Sequence, residues 1–310
     1  MKVLFTGGGG AGTEALWQLY AQRYEVHFAD ADISTIDPIV LSSQRHQIPL
    51  ASGDIFFEEV NKLCKTLQID VLVPSVDEEL LILAHGIDKI LPTKLMLPDY
   101  KFVNVMLDKL SMITVLAKRN IPTPLSFSLG DDFSGISFPC ISKPRKGRGS
   151  RDVKVVKTKE EAQALKMTQG LSANDFILQN KIEGQEYTVQ MVANSNCTLA
   201  AVVPVKVAVK RGITIVAEVE AESKVIEACQ RIHAAYPTKG CYNIQLILTK
   251  DGQVMPFEIN PRISTTYCLV VAANVDPIQI FLEKDHGGEL ASFSSGMQLR
   301  RHWQNYFSQS

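Results

Sequence analysis

The first hundred residues alternate short apolar runs with stretches of helical spacing, and no other feature of the sequence restricts the fold as strongly. Strands joined through helices of about ten or more residues form parallel βαβ units. Strands are predicted at 2–6, 25–29, 70–74 and 94–97, and helices at 12–22, 54–68 and 77–86, with Asp54 as N-cap of the second helix. This part of the chain is therefore predicted to be α/β, with an open, doubly wound parallel sheet.

Beyond Pro98 the pattern changes to clustered strands with helices on one side, which is typical of an α+β domain. A helix predicted at 108–120 ends at the segment 121–124, because its two prolines cannot continue a helix. The dipeptide Asp251-Gly252 predicts a hairpin between strands 242–248 and 253–259. Further strands are predicted at 125–129, 139–143, 153–156, 176–179, 186–192, 199–209, 213–219 and 297–303, and further helices at 159–167, 222–236, 265–273 and 276–283.

Composition excludes several classes of protein. The 310 residues are 45% apolar and 21% charged, which predicts a globular chain of about two domains. A formal net charge of −1 argues against a dedicated nucleic-acid or membrane-surface protein, since both usually carry excess basic residues. No apolar run approaches the roughly 18 residues that span a bilayer, and the apolar start is too short for a signal peptide. With six scattered cysteines, we expect a cytoplasmic protein with free thiols.

A glycine-rich turn follows the first predicted strand. Gly7, Gly9 and Gly12 satisfy the spacing G-x-G-x-x-G, and Asp30 or Asp32 ends the second strand where a ribose-binding acid would lie. This spacing makes a nicotinamide-dependent oxidoreductase one hypothesis. The alternative is that the glycines only allow a tight turn between strand and helix.

A basic loop follows the predicted strand at 139–143. Lys143 ends the strand, and two glycines and a serine then lie among several cations. Such a loop can cover a polyphosphate with backbone N–H groups and charged donors, whereas a solvated surface loop is the alternative. The candidate nucleotide-binding residues of this segment are Lys143, Lys146, Gly147, Arg148, Gly149 and Ser150.

Two weaker signals fit the same ligand. An extended connector at 180–185 leaves backbone groups free to contact an adenine edge, and Glu186 could accept both ribose hydroxyls. Lys109 opens the helix before the proline segment and could reach the phosphates from the opposite wall. A surface loop and an exposed lysine would look the same.

The hairpin at 242–259 carries the strongest signal. Alternation places Glu258 and Asn260 on one face of a strand, and the paired arm can bring Gln245 alongside. One carboxylate and two amide oxygens, completed by phosphate oxygens and water, suit Mg²⁺. Arg262 can then hold a transferring phosphoryl group. The alternative is a strand end with a turn-forming Asn-Pro.

Taken in order, these segments resemble the ATP-grasp superfamily. The chain carries Asp-Lys before a helix, Ile-Pro-x-Pro, Pro-x-Ile-x-Lys-Pro with a basic glycine loop, Glu-Gly-x-Glu-Tyr, Asn-x-Gln and Glu-Ile-Asn-Pro-Arg. The last two motifs are most similar to the carbamoyl-phosphate-synthase large-subunit-like branch. The resemblance covers nearly the whole chain and implies a fold of two parts. A pre-ATP-grasp Rossmann-like open parallel sheet would occupy 1–105, and an ATP-grasp domain 106–310, with a lid subdomain at about 121–182 and a central and C-terminal subdomain at about 183–310.

The resemblance also implies the roles of the site residues. Lys109 and Lys143 would contact ATP phosphates, under a covering loop at 145–151. Gln179 and Ile182 would contact adenine, and Glu186 the ribose. A divalent ion, Mg²⁺ or Mn²⁺, would be held by Gln245, Glu258 and Asn260, with Arg262 on the γ-phosphate.

The implied activity is that of an ADP-forming ligase, which activates a carboxylate as an acylphosphate for attack by an amine. We expect small-molecule carboxylate and amine substrates, no nucleic acid and no membrane as partners, and we leave a homodimer open. Lys210 and Arg211 are the preferred cations for the carboxylate. The acids at 77–79 could meet an amine, although an acidic first helical turn explains the same residues without a function and is the preferred explanation. The rival functions are the oxidoreductase and a non-catalytic ATP-binding sensor or subunit.

Overall fold

The computed structural model describes residues 1–149, 151–283 and 288–302. The first part of the chain forms a parallel sheet with helices packed against it. Its strands are β1 (Lys2–Thr6), β2 (Glu25–Asp30), β3 (Arg45–Gln47), β4 (Val71–Val73) and β5 (Lys94–Leu95), in the order β3-β2-β1-β4-β5. The helices are α1 (Thr13–Tyr20), α2 (Phe56–Leu67) and α3 (Asp77–His85). All these strands pair in parallel, which confirms the predicted open α/β sheet.

Three details of this region differ from the prediction. The short edge strand β3 was not predicted, because its sequence Arg-His-Gln has no apolar run. Helix α4 (Tyr100–Met106) was also not predicted, although its Phe102, Val103 and Met106 are buried. Helix α2 begins at Phe56, two residues later than predicted, with Ile55 as N-cap and no side-chain cap, so the N-cap role given to Asp54 is wrong. The shift places Phe56 and Val60 in the core.

An antiparallel sheet follows, which we call the lid sheet. Its strands are β6 (Ser126–Ser128), β7 (Cys140–Pro144), β8 (Lys154–Val156) and β9 (Phe176–Asn180), in the order β6-β9-β7-β8. Helix α5 (Lys109–Ala117) precedes it and α6 (Lys159–Gln169) packs beside it. The lid sheet has an apolar cluster of its own: Leu129, Phe133, Ile136, Cys140, Val156, Ala162, Ala173 and Leu178.

The last part of the chain is built on a longer antiparallel sheet, which we call the central sheet. Its strands are β10 (Gln185–Ala193), β11 (Leu199–Arg211), β12 (Ile213–Val219), β13 (Gly240–Leu248), β14 (Val254–Asn260) and β15 (Gln298–Arg300), in the order β14-β13-β10-β11-β12-β15. The helices are α7 (Ser223–Ala235), α8 (Tyr267–Ala272) and α9 (Pro277–Leu282). The returning strand predicted at 297–303 is present as β15, and residue 303 lies outside the described residues.

The largest apolar cluster joins the parallel sheet to the central sheet. Phe5 and Tyr20 from the first region pack with Val203 and Tyr267 from the last, and the hydroxyls of Tyr20 and Tyr267 lie 3.1 Å apart. This shared core places the carboxyl ends of the parallel strands against the segment that follows β14. The domain boundaries given above stay predictions. No helix in the described segments is both long and apolar enough to cross a membrane.

Candidate active site

A cleft of about 740 Å³ lies between the lid sheet and the central sheet. It brings together residues from distant parts of the sequence, as the motifs predicted. The predicted site residues that line it are Lys109, Lys143, Lys146, Gly147, Arg148, Gly149, Gln179, Ile182, Glu186, Lys210, Gln245, Glu258, Asn260 and Arg262. Arg211 is not one of its lining residues, and Ser150 lies outside the described residues.

Lys143 is a buried cation in the wall of this cleft. Only 6% of the residue is exposed, and its Nζ donates to the carbonyl oxygen of Phe257 at 3.2 Å and lies 5.1 Å from the centre of that ring. Burial lowers the pKa of Lys143 to about 8, an effect that the nearby carboxylate of Glu258 opposes. An ammonium group with so little water around it favours an anionic ligand.

A β-bulge in β14 produces the contact with Lys143. The register runs from the pair Gln245–Glu258 to the pair Leu246–Pro256, so Phe257 is the extra residue. The bulge leaves the carbonyl of Phe257 outside the regular ladder, where Lys143 reaches it. The same register places Gln245 directly opposite Glu258, as predicted from the alternation.

The side-chain oxygens of the predicted metal ligands differ in whether a neighbouring group already bonds to them. The Nδ2 of Asn260 donates to Asn243 at 3.2 Å, so its Oδ1 is outside this bond. An oxygen of Glu258 lies 3.7 Å from the Nζ of Lys109, whereas the Oε1 of Gln245 accepts a bond of 3.0 Å from Lys210. Within the described ranges no cluster of three or more His, Cys, Asp or Glu side chains could hold a metal. This donor set fits a divalent cation that brings phosphate oxygens with it.

Lys109 is held at the start of α5 by an N-terminal cap. The carboxylate of Asp108 accepts from backbone N–H groups of the first turn, and the Nζ of Lys109 donates to the carbonyl of Gly147 at 2.9 Å. Asp108 also accepts three bonds from Arg145, two from Nε and one from Nη2, the shortest at 2.7 Å. Although burial opposes the effect, the bonds from Arg145 hold the pKa of Asp108 below its usual value. Arg145 therefore anchors the base of the basic loop and does not line the cleft, contrary to the predicted covering segment.

The basic loop itself turns on two glycines. Gly147 and Gly149 have φ values of 117° and 72°, in the left-handed region that favours glycine. Between them, the Nε of Arg148 donates to Glu78 of α3 at 3.1 Å. Both side chains are more than a third exposed, so this pair adds little stability by itself. It does place the loop beside the parallel sheet.

Lys210 lies inside the cleft rather than in a separate carboxylate pocket. Its Nζ donates to Glu186 at 2.5 Å and to Gln245 at 3.0 Å, so it joins the predicted ribose acid to a predicted metal ligand. Arg211 is exposed and is not among the residues that line the cleft. The structure therefore does not bring Lys210 and Arg211 together as a carboxylate-binding pair.

Arg262 follows β14 and is fixed by two bonds. Its Nε donates to Asp77 at 2.5 Å, and its Nη1 donates to the carbonyl of Ile263 at 2.9 Å. Both charged side chains are nearly buried, with 13% and 10% exposed. The remaining Nη2 is the nitrogen left for a ligand. The sequence offered Asp77, the first residue of α3, as part of an acidic turn that could meet an amine, and not as a partner of Arg262.

The predicted adenine contacts lie at the lid end of the cleft. Gln179 is in β9, with 4% exposed, and its Nε2 donates to the hydroxyl of Ser126 at 3.0 Å. Ile182 lines the cleft just beyond this strand. Because the side-chain nitrogen of Gln179 already donates to Ser126, a base can bond only to the side-chain oxygen of Gln179 and to the backbone that follows it.

Comparison with solved structures identifies the fold. A biotin carboxylase from Campylobacter jejuni in complex with β-γ-ATP aligns with a TM-score of 0.70 and 15% identity, covering 93% of this chain and 72% of that one. A carboxyaminoimidazole ribonucleotide synthase from Aspergillus clavatus complexed with ATP gives a TM-score of 0.67 at 17% identity, covering 84% and 70%. The chain has the ATP-grasp fold. An L-amino acid ligase from Bacillus licheniformis is similarly related, with a TM-score of 0.67, 15% identity and coverage of 90% and 72%.

Sequence comparison agrees with this ATP-grasp assignment. Residues 172–304 match a family model described as ATP-grasp in the biosynthetic pathway with Ter operon. No curated protein matches the sequence. The fold class predicted from the sequence is thereby confirmed, and the family model supports the resemblance to the ATP-grasp superfamily over residues 172–304.

Within this fold, packing explains the glycine-rich turn. Asp30 accepts a bond of 2.9 Å from the N–H of Gly9, and its other oxygen accepts from the N–H of Asp32 at 3.1 Å. A Cβ on Gly9 would lie 2.0 Å from the hydroxyl of Thr35, so no larger residue fits. Asp30, which would bind the ribose if the nicotinamide hypothesis held, thus stabilises the turn through these two bonds. The observations favour the alternative in which the glycines serve the turn.

Proposed function

We propose that this ATP-grasp protein is an ATP-dependent ligase that activates a small carboxylate as an acylphosphate and joins it to an amine, releasing ADP and phosphate. One observation carries the proposal: Lys109, Lys143 and Arg262 converge on the cleft that also contains Glu258 and Asn260. Three cations beside a carboxylate and an amide oxygen suit a metal-bound polyphosphate better than any neutral ligand. The solved structures similar to this chain include two named as complexes with ATP or an ATP analogue.

The nucleotide is proposed to lie with its base at the lid sheet. Gln179 and Ile182 would contact adenine, and Glu186 would accept from the ribose hydroxyls while it stays paired to Lys210. Lys143 and Lys109 would contact the phosphates from two walls of the cleft. The loop at 146–149 would cover them with its backbone N–H groups.

A divalent cation, Mg²⁺ or Mn²⁺, is proposed to bind at Glu258 and Asn260. When bound, it would neutralise part of the phosphate charge. Gln245 can join this set only when its oxygen leaves Lys210, because the ammonium now holds it at 3.0 Å. The protein offers one negative charge here, so affinity for the cation should depend strongly on bound nucleotide.

The chemistry requires positioning more than reactive side chains. A carboxylate is a poor acylating agent, because oxide would have to leave; phosphorylation gives it a good leaving group. Arg262 would hold the transferring phosphoryl group, with its guanidinium plane fixed by Asp77 and the carbonyl of Ile263. Closure of the basic loop would keep water from the acylphosphate. We also propose that the lid is the segment at about 121–182, which turns on residues 121–124.

The test combines nucleotide binding with a turnover screen. Wild-type protein should bind Mg·ADP by calorimetry and release ADP from ATP with one pair in a screen of carboxylates and amines, with product mass as the second readout. Glu258→Gln combined with Asn260→Ala should keep the fold and abolish this release, whereas the exposed Glu58→Gln serves as matched control. Undiminished turnover would contradict the metal site. Nucleotide binding without turnover for any pair would favour the sensor function instead.

A further inference from the structure

A cavity of about 450 Å³, which we call the hinge cavity, lies at one end of the proline segment 121–124. Its walls are the end of α5 with residues 119–122, one face of α7 between 224 and 235, and the hairpin turn at 252–254. Ile121 and Pro122 line the hinge cavity, whereas Pro124 lines the nucleotide cleft. The segment on which the lid is proposed to turn therefore has one end in each space.

The hinge cavity is rich in positive charge. Arg119 lines it from the end of α5, and Lys224 and Arg231 line it from α7. These two residues of α7 are seven apart, so they lie on the same face of the helix. Glu227 is the one acid among the described residues that line the cavity, and none of the four forms an ion pair with another described residue. Three positive charges thus face one negative charge.

Arg119 is oriented by contacts with two helices. Its Nη1 donates to the carbonyl oxygen of Val115 in α5 at 3.5 Å, and its guanidinium lies over the ring of Tyr236, 5.2 Å from the ring centre. Tyr236 is the C-cap of α7, so Arg119 joins the ends of α5 and α7. Its Nε and Nη2 form no hydrogen bond within the described ranges, and both stay available as donors to a ligand.

Lys224 lies at the opposite wall, against the hairpin turn. A Cβ placed on Gly252 would lie 2.5 Å from the Nζ of Lys224, so the ammonium group contacts the turn between β13 and β14. Gly252 has a φ of 85°, in the region that favours glycine. The absence of a side chain at Gly252 leaves the room that the ammonium group occupies.

These groups suit a small anion with two negative charges. Guanidinium groups bind phosphate and carboxylate oxygens in pairs, and an ammonium group adds a point charge. Cations that line one concave space add their fields and attract an anion more strongly than single surface charges do. The volume of the cavity is that of a site for a small molecule.

Two elements connect the hinge cavity to the nucleotide cleft. Helix α5 begins at Lys109 in the cleft and ends beside Arg119 in the hinge cavity. Strand β14 begins at Val254 in the hinge cavity and ends at Asn260 in the cleft. The two elements pack against each other, and α7 also packs against β14. An anion bound between Arg119 and α7 would therefore fix the end of α5 against the central sheet, and with it the position of Lys109.

We propose that the hinge cavity is a regulatory site for a small dianion, a phosphate ester or a dicarboxylate, which strengthens nucleotide binding in the cleft by fixing α5 against α7. The binding site stands on the geometry and charge of the hinge cavity, whereas the regulation rests on the ligase function proposed above. Because coupling between two sites is reciprocal, Mg·ADP should strengthen binding of the dianion by the same factor.

The first experiment measures anion binding by calorimetry with the protein saturated with Mg·ADP, so that the cleft is filled. The probes are two phosphate esters (glycerol 3-phosphate and ribose 5-phosphate), two dicarboxylates (succinate and glutarate) and the monoanion acetate. At least one dianion should bind wild type, with an affinity at least about tenfold above that of acetate. The class that binds identifies the source of the two charges.

A double variant of α7 locates the bound anion. Lys224→Gln combined with Arg231→Gln should weaken dianion binding about tenfold or more, because two charge-assisted contacts are lost. The matched control is Lys89→Gln combined with Lys101→Gln, which removes two exposed charges that do not line the hinge cavity. This control should bind the dianion as wild type does.

The second experiment measures the coupling between the two sites. Mg·ADP is titrated into wild type and into the α7 double variant, each with and without the dianion that binds. The dianion should strengthen Mg·ADP binding to wild type about fivefold and should have no effect on the double variant.

The outcomes separate this inference from the proposed function. Wild type that binds no dianion, or an α7 double variant that binds it as well as the control does, would overturn the hinge site. Dianion binding that leaves Mg·ADP affinity unchanged or weaker would overturn the regulation. Wild type that binds no Mg·ADP would overturn the proposed function, and the same anion titrations on nucleotide-free protein then decide the hinge site by itself.

Arg119→Gln gives an independent test, and it replaces the α7 double variant if that variant fails to fold. It removes the charge that the end of α5 contributes to the hinge cavity. Dianion affinity should fall about tenfold, because the guanidinium is one of the three cations proposed to hold the anion. Unchanged dianion affinity in Arg119→Gln would contradict the proposal.

Discussion

At the scale of single residues, Lys143 gives the clearest indication of a ligand, because its ammonium group is buried and its pKa is lowered. Its position at the end of β7 could be predicted from the Pro-x-Ile-x-Lys-Pro motif, because a strand fixes the direction of its side chains. Its partner could not be predicted. The carbonyl of Phe257 is available only because of a bulge, and no residue type in β14 signals one.

The lowered pKa of Lys143 predicts a pH dependence of nucleotide binding. In the free protein the pKa is lowered to about 8 by burial, and a bound phosphate must raise it. The complex then holds more protons than the free protein above pH 8. Mg·ADP binding should therefore take up a proton at pH 8.5 and weaken by up to about tenfold for each further pH unit.

Calorimetry at pH 8.5 in two buffers of different ionisation enthalpy measures this proton uptake. Lys143→Arg keeps a charge over the whole range, so its affinity should change little between pH 7 and pH 9. If wild type takes up no proton on binding Mg·ADP, Lys143 does not contact the phosphates.

At the scale of elements, the longer strands could be predicted from the sequence, whereas short elements and the contacts between distant elements could not. Strand β12 was predicted with the bounds that the structure has, since β-branched residues dominate it. Strand β3 was missed because polar residues form it, and α4 because only Asp99 separates it from Pro98. The pairing of Asp77 with Arg262 spans 185 residues, and nothing local to either position indicates it.

Helix α3 connects the parallel sheet to the cleft, because its first residue, Asp77, accepts a bond from Arg262. Asp77→Asn should lower turnover about tenfold, because the guanidinium of Arg262 loses a charge-assisted bond that fixes its plane. Affinity for Mg·ADP should change less than about twofold, since Arg262 is proposed to contact only the transferring phosphoryl group. The measurement is ADP release with the substrate pair from the screen, beside calorimetry.

The exposed Asp88→Asn is the control for this change, since Asp88 lies in the short turn after α3 and lines neither the cleft nor the hinge cavity. Turnover that stays at the wild-type level would show that Asp77 does not position Arg262. An equal loss of Mg·ADP affinity would show instead that the pair holds the nucleotide site as a whole.

At the scale of the whole molecule, the apolar clusters divide the chain unevenly. The largest cluster combines the parallel and central sheets, so these two must unfold together. The lid sheet packs on a smaller cluster drawn only from residues 129–178. The motif order alone predicted a clamp, but which parts share a core depends on packing between distant segments, as between Tyr20 and Tyr267.

This division predicts unequal hydrogen exchange across the molecule. Amides of β7 and β9 in the lid sheet should exchange faster than those of β10 and β11, because a small separate core can open without the rest of the protein. Mg·ADP should slow exchange in the lid strands more than in the central sheet, since the proposed nucleotide contacts both sides of the cleft and must be released before the lid opens. Exchange measured by mass spectrometry on peptides from each sheet, with and without Mg·ADP, checks both expectations. Equal rates in the two sheets would mean that the lid shares the cooperative core, and unchanged lid exchange with bound Mg·ADP would place the nucleotide outside the cleft.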